Sequence, residues 1–341
     1  MVTLKPPTAS DLDQISDPQK LLRIAHPPRI EVSGENTIGS LADQYDHSLD
    51  FLRQHLNINS RSRLTRYQDI LSRIRHISDS ANLAASLQND ACRSSFYEAH
   101  QIIEVCSSLK TVIENIDIPT KTLANLKKSD FLSYVEARNN NANDPSRDTF
   151  FELFVAAKLI QRSFPVAFTE NREDLSTTFE DHKIYIECKR VQSRRQLFRR
   201  IHEANGQLKT RYVKGRLKEF GLAFISISNL VNPDFQIFAA PSFETMLTDS
   251  HKLIDPYTDG SFTMIKRYGW PHKKTLAFFV HASLLYVTAD HFRPVYRSLL
   301  RSSSYFHHRD FIPQRGYTPE KRMEYFDEFG RFSQTLEPKT T

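Results

Sequence analysis

No glycine occurs between Gly39 and Gly206. Glycine opens left-handed turns at no steric cost, so a long stretch without it favours long elements joined by polar linkers. Apolar residues from Thr37 to Leu132 recur at helical spacing. Ile38, Leu41, Tyr45, Leu49 and Leu52 form one stripe, and Tyr67, Ile70, Leu71, Ile74 and Ile77 a second. A third runs through Tyr97, Ile102, Ile103, Val105, Leu109, Val112 and Ile113. Spacings of three and four predict helices that each bury one face. These stripes predict core rather than base-stacking platforms. Polar segments such as 78–81 and 88–90 predict the linkers.

Residues 1–35 hold five of the chain's 16 prolines and show no period, which predicts an irregular arm. Residues 36–140 read as an all-helical domain. The asparagine-rich run from Arg138 to Ser146 then reads as a domain boundary. Beyond it the pattern becomes mixed. A helix is expected over 149–163, capped by Ser146 or Asp148, then a strand at 165–169 and a hairpin over 174–189. A helix over 195–220 follows, with Leu197, Ile201, Ala204, Leu208 and Tyr212 on one face. A continuous apolar strand is expected over 222–228, another over 275–280 and a helix around 292–300. The order of helix, three strands, helix and strand predicts a mixed α/β sheet with helices packed on it, over 146–301. Residues 302–341 read as a peripheral extension. The 341 residues are 39% hydrophobic and include 24 Phe and 13 Tyr, enough for real cores.

Three dispersed cysteines argue against a disulfide framework or a thiolate zinc site and for a reducing compartment. The first residues lack an apolar signal core. The longest apolar run, 276–287, is too short to span a bilayer. A cytoplasmic protein with no membrane partner is expected. There is no Walker A sequence and no G-x-G-x-x-G, so nucleotide-driven chemistry is not indicated. His307, His308 and His291 lack the spacing of a zinc protease.

The hairpin carries charge where charge is expensive. Ile184, Ile186 and Cys188 alternate with Tyr185, Glu187 and Lys189, giving the second strand one apolar face and one bearing a carboxylate and an ammonium. Asp174 opens the partner strand, with Glu173 or Glu170 as alternative acids. Glu187 and Lys189 are also compatible with a plain surface ion pair on an edge strand. Converging carboxylates suit a hard divalent cation such as Mg2+ or Mn2+, which takes oxygen ligands and keeps waters for a phosphate ester. Asp174 and Glu187 are the candidate ligands, with the Cys188 carbonyl as a third. Lys189 is placed to orient an attacking water or to stabilise transition-state charge.

Charge distribution supports a polyanion. Net charge is +6, but residues 189–218 hold eleven Lys and Arg against one acid, 11 − 1 = +10, leaving 6 − 10 = −4 for the remainder. This basic window starts at the candidate site. Arg190, Arg194, Arg195, Arg199, Arg200, Lys209 and Arg211 are the candidate nucleic-acid contacts, against the alternative of a solvated helix face.

Asp174 followed by Glu187-x-Lys189 on the next strand, in an αβββαβ order, resembles the PD-(D/E)XK (restriction-endonuclease-like) phosphodiesterase superfamily. The resemblance covers about residues 147–230. It implies a restriction-endonuclease-like core and a metal-dependent endonuclease acting on DNA, in restriction or antiviral defence, with the helical domain serving recognition, dimerisation or regulation. It also implies a metal-orienting glutamate on the preceding helix, matched by Glu152, and a glutamine on the following helix, matched by Gln207. Gln207 also suits a purely structural role. The chain departs from the family pattern in having Glu173 rather than proline before Asp174, and Arg211 where a tyrosine follows the glutamine in one branch. Of the three D/E-x-K triplets, those at 181–183 and 337–339 fall in a turn and a polar tail; only Glu187-x-Lys189 ends an apolar strand. The alternative is a nucleic-acid-binding or protein-interaction protein that keeps the fold without cleaving.

Overall fold

The computed structural model describes residues 38–55, 58, 60, 62–77, 82, 85–110, 118, 122, 125, 145–169, 174–179, 182–212, 219–232, 236–268, 275–288 and 294–304. The arm 1–35, the linker 138–144 and residues 305–341, with His291, His307 and His308, lie outside the described residues.

Three helices open the described chain: α1 (Ile38–His55), α2 (Arg63–Ile74) and α3 (Asp90–Lys110). Their stripes are buried as the periodicity predicts: Leu41, Tyr45, Leu49 and Leu52 of α1, and Tyr67, Leu71 and Ile74 of α2. The helix starts are set by side chains. Ser62 Oγ accepts the Thr65 N–H at 3.2 Å, and Asn89 Oδ1 accepts those of Ala91 and Cys92 at 2.9 and 3.2 Å. Each bond satisfies a donor that the first helical turn leaves without a partner.

Helix α4 (Pro145–Gln161) begins four residues before the expected start. Proline lacks the N–H that the first helical position leaves unused, so Pro145 opens the helix and Ser146 and Asp148 lie inside it. The helix is buried on most sides, through Phe150, Phe151, Leu153 to Ala157 and Leu159. It ends where Ser163 takes φ 62° and the Ser163 and Phe164 N–H groups bond to the Ile160 and Leu159 carbonyls.

Strands β1 (Val166–Thr169), β2 (Asp174–Phe179) and β3 (His182–Arg190) form an antiparallel meander. Helix α5 (Arg194–Arg211) crosses over to β4 (Glu219–Ser226), which pairs parallel to β3. After a short helix α6 (Ser228–Val231) come β5 (Ile237–Ala240), α7 (Phe243–Tyr268), β6 (Thr275–Thr288) and β7 (Pro294–Ser304). The fold is mixed α/β: a seven-stranded sheet of order β1-β2-β3-β4-β6-β5, with β7 added to β6. All eight residues of β4 are buried, as expected of a central strand covered on both faces.

Three expectations change. The helix expected around 292–300 is the strand β7, paired antiparallel along β6. Its short apolar run fits either period, and the long partner strand decides the outcome. The helix expected over 195–220 stops at Arg211, and Phe220 instead pairs with Ile184 in the sheet. β6 continues past Val280 to Thr288.

Two cores flank the sheet. On one face Ile184 and Ile186 pack with α4 and with α1 to α3, so the helical half and that face share one apolar cluster. On the other face Tyr185 packs with Leu197, Ile201, Ala204 and Leu208 of α5. A buried ionic knot joins the helical half to α4. Glu98 of α3 forms an ion pair with Arg63 of α2 at 3.0 Å and accepts hydrogen bonds from Arg147 of α4 at 2.8 Å and the Tyr67 hydroxyl at 2.5 Å.

Candidate functional site

The register of the hairpin builds the site. Leu175 pairs with Ile186, and Asp174 opens β2 one residue before that pair, where it is the partner of Thr169 on β1. Residues facing each other across an antiparallel pair occupy the same side of the sheet. The Asp174 side chain itself lies outside the described residues.

Alternation along β3 then sorts the neighbours. Tyr185, Glu187 and Lys189 take the α5 side, and Ile184, Ile186, Cys188 and Arg190 the α4 side. Glu187 is 4% exposed, and both of its oxygens are engaged. Lys189 Nζ donates to Oε1 at 2.5 Å. The Arg211 guanidinium, from the last turn of α5, donates to Oε2 and also to the Ile186 carbonyl at 3.2 Å. A carboxylate this deep in the fold is tolerated because it is paired and hydrogen-bonded on both oxygens.

Glu152 lies elsewhere. Asp148 of α4 pairs with Arg190 at 3.2 Å, so the α4 face that bears Asp148 and Glu152 approaches β3 from the side opposite Glu187. The Cys188 thiol records the same arrangement. Burial holds its pKa well above the ordinary thiol value, and the Glu152 and Glu187 carboxylates both raise it further. The α4 face that bears Glu152 thus meets the Cys188 side of β3, and Glu187 faces α5. The reason is the two-residue period of β3, which sends neighbours 187 and 188 to opposite faces.

Gln207 is exposed on α5 and makes no described contact with Glu187. The residue that reaches the carboxylate is Arg211, four positions further along. The sequence shows it only as one of many basic residues; its position where the family pattern has a tyrosine is the signal that singles it out. Tyr212 sits against Tyr185, with ring centroids 6.3 Å apart, and its hydroxyl shares a 3.1 Å hydrogen bond with Thr275.

The seven candidate nucleic-acid contacts divide. Arg211 and Arg190 are 8% and 11% exposed and turned to carboxylates. Arg199 and Arg200 both pair with Glu203. Arg194, Arg195 and Lys209 are exposed, with Arg194 near the Tyr257 ring at 5.9 Å. The outer face of α5 is therefore the basic surface, and the inner end supplies the cation at Glu187.

Among the described residues no group of three or more His, Cys, Asp and Glu side chains is arranged to hold a metal ion. No described helix is long and apolar enough to cross a membrane. No known family model matches this chain, and no curated protein matches it.

Proposed function

We propose that this chain is a metal-dependent phosphodiesterase with a restriction-endonuclease-like core, acting as an endonuclease on DNA. The observation that carries the reading is the buried Glu187 carboxylate with Lys189 held 2.5 Å from it, on the strand that pairs with the one Asp174 opens. The order α4, β1–β2–β3 meander, α5, β4 parallel to β3 supports it.

Asp174, Glu187 and the Cys188 carbonyl would be the ligands of a hard divalent cation such as Mg2+ or Mn2+. Glu187 and the Cys188 carbonyl lie on β3, and Asp174 on the paired strand β2. Glu152, across β3, is assigned no direct ligand role. An ion held by Asp174, Glu187 and the Cys188 carbonyl would supply a water of lowered pKa and would neutralise phosphate charge. Lys189 keeps a positive charge beside Glu187 and stabilises charge that develops on the phosphate oxygens. Arg194, Arg195 and Lys209, on the outer face of α5, hold the DNA backbone by charge. Cytoplasmic action in restriction or antiviral defence, and dimerisation through α1 to α3, belong to the same reading by family analogy.

The test is plasmid cleavage with and without EDTA, beside Glu187→Ala and Lys189→Ala. Cleavage that needs the divalent ion and is lost in both variants is expected; undiminished cutting by both removes the assignment. One observation favours a second reading, a nucleic-acid-binding protein that no longer cuts: Lys189 and Arg211 together occupy both oxygens of Glu187. That reading expects metal-independent, salt-sensitive DNA binding and no nicking with any divalent ion.

A further inference from the structure

Arg211 does more than join a basic surface. Its guanidinium is 8% exposed, and it bridges Glu187 Oε2 and the Ile186 carbonyl. Lys189 holds the other oxygen of the same carboxylate. A divalent cation seeking Glu187 finds both of its donor oxygens already taken by cations. Lys189 lies two residues along the same strand and is fixed beside Glu187. Arg211 comes from a different element. It reaches the site by a long side chain from the last turn of α5, a helix whose outer face carries Arg194, Arg195 and Lys209. A phosphate backbone laid on that helix competes directly for the guanidinium, which pairs with phosphate as readily as with carboxylate.

We infer that Arg211 is a charge latch on Glu187: it lowers the affinity for the divalent ion in the free protein and transfers to a DNA phosphate when substrate binds, so that metal and DNA bind with positive coupling. The inference rests on the proposed metal-dependent reading and deepens it. Coupling of this kind is reciprocal, and DNA and metal must raise each other's affinity by the same factor. The latch keeps the metal site of the free protein largely closed until a polyanion lies on α5.

The test uses the full chain, Mn2+ followed by electron paramagnetic resonance, and a short phosphorothioate duplex that resists hydrolysis. Without DNA, Arg211→Gln is expected to bind Mn2+ about tenfold more tightly than the unaltered chain, within the usual range of such couplings. The duplex is expected to tighten Mn2+ binding by a similar factor in the unaltered chain and far less in Arg211→Gln. Equal Mn2+ affinities without DNA, both weakened by Glu187→Gln, overturn the latch and leave the metal site standing. Mn2+ binding that Glu187→Gln does not alter removes the metal-site reading itself, and the latch with it. A second measurement covers a poorly folding variant. In the unaltered chain the side-chain 15Nε resonance of Arg211 is expected to move when Mg2+ and duplex are added together; an unmoved resonance overturns the latch.

Discussion

Glu152 and Glu187 stand on opposite sides of strand β3. Glu187 faces α5 and is held by Lys189 and Arg211, and Glu152 rises from α4 toward Cys188. The two acids are therefore expected to differ sharply in mutagenesis. Glu187→Gln should lower the nicking rate by about 10²–10³, the usual loss when a principal electrostatic group is removed. Glu152→Gln should lower it less than about tenfold. Rates of supercoiled plasmid nicking at saturating Mg2+ measure both, and equal losses would place Glu152 in the reacting centre.

Glu98 is the carboxylate shared by two buried guanidiniums, those of Arg63 and Arg147, which are 1% and 4% exposed. Removing the acid takes away the carboxylate that both buried cations face. Glu98→Ala should lower the unfolding free energy by about 3–5 kcal/mol, as for other broken buried pairs. Urea unfolding followed by circular dichroism checks this. The loss should appear in a transition shared by the helical half and α4, because their apolar residues form one cluster.

His281 is buried against Phe151 and Phe154, with ring centroids 5.3 and 4.6 Å away. Burial, helped by Lys158, lowers its pKa to about 3 from an ordinary 6.5. Between these values the unfolded chain binds a proton at this histidine and the folded chain does not. Stability from this residue is thus complete above pH 6.5 and declines as pH falls toward 3. The slope attributable to it is at most about 1.4 kcal/mol per pH unit. Urea midpoints over this range should fall more steeply in the unaltered chain than in His281→Gln.

Cys92 and Cys106 have thiols pushed up by burial, to about 11 and about 12, and Cys188 is shifted in the same direction. The thiolate is the reactive form. At pH 8 the native protein should therefore react slowly with a thiol-specific disulfide reagent, and the urea-unfolded chain should titrate all three cysteines rapidly. Fast reaction of a native thiol would mean that its surroundings open.

Gly221 marks a close approach behind the site. A Cβ there would lie 2.1 Å from the Tyr212 hydroxyl oxygen and 2.9 Å from a Leu208 methyl. Gly221→Ala must displace the tyrosine that follows Arg211, and should cost about 1–3 kcal/mol by overpacking. Thermal melting reads the stability, and a parallel loss of nicking would show that the position of Tyr212 governs that of Arg211.

The sequence by itself determined the helical stripes of α1 to α3, the β2–β3 hairpin and the alternation that sets Glu187 beside Lys189. Each depends on a local period, and burial of one face enforces a period directly. The tertiary structure decided what no local period contains. β7 is a strand because β6 lies alongside it, although its residues also suit a helix. Arg211 reaches Glu187 because the α5 crossover returns the end of the helix to β3; along the chain the two residues are simply a base and an acid far apart. Glu152 misses Glu187 because α4 covers the other face of the sheet. Helix periodicity says that a residue points inward, and only the packing of layers says which side of a strand it meets.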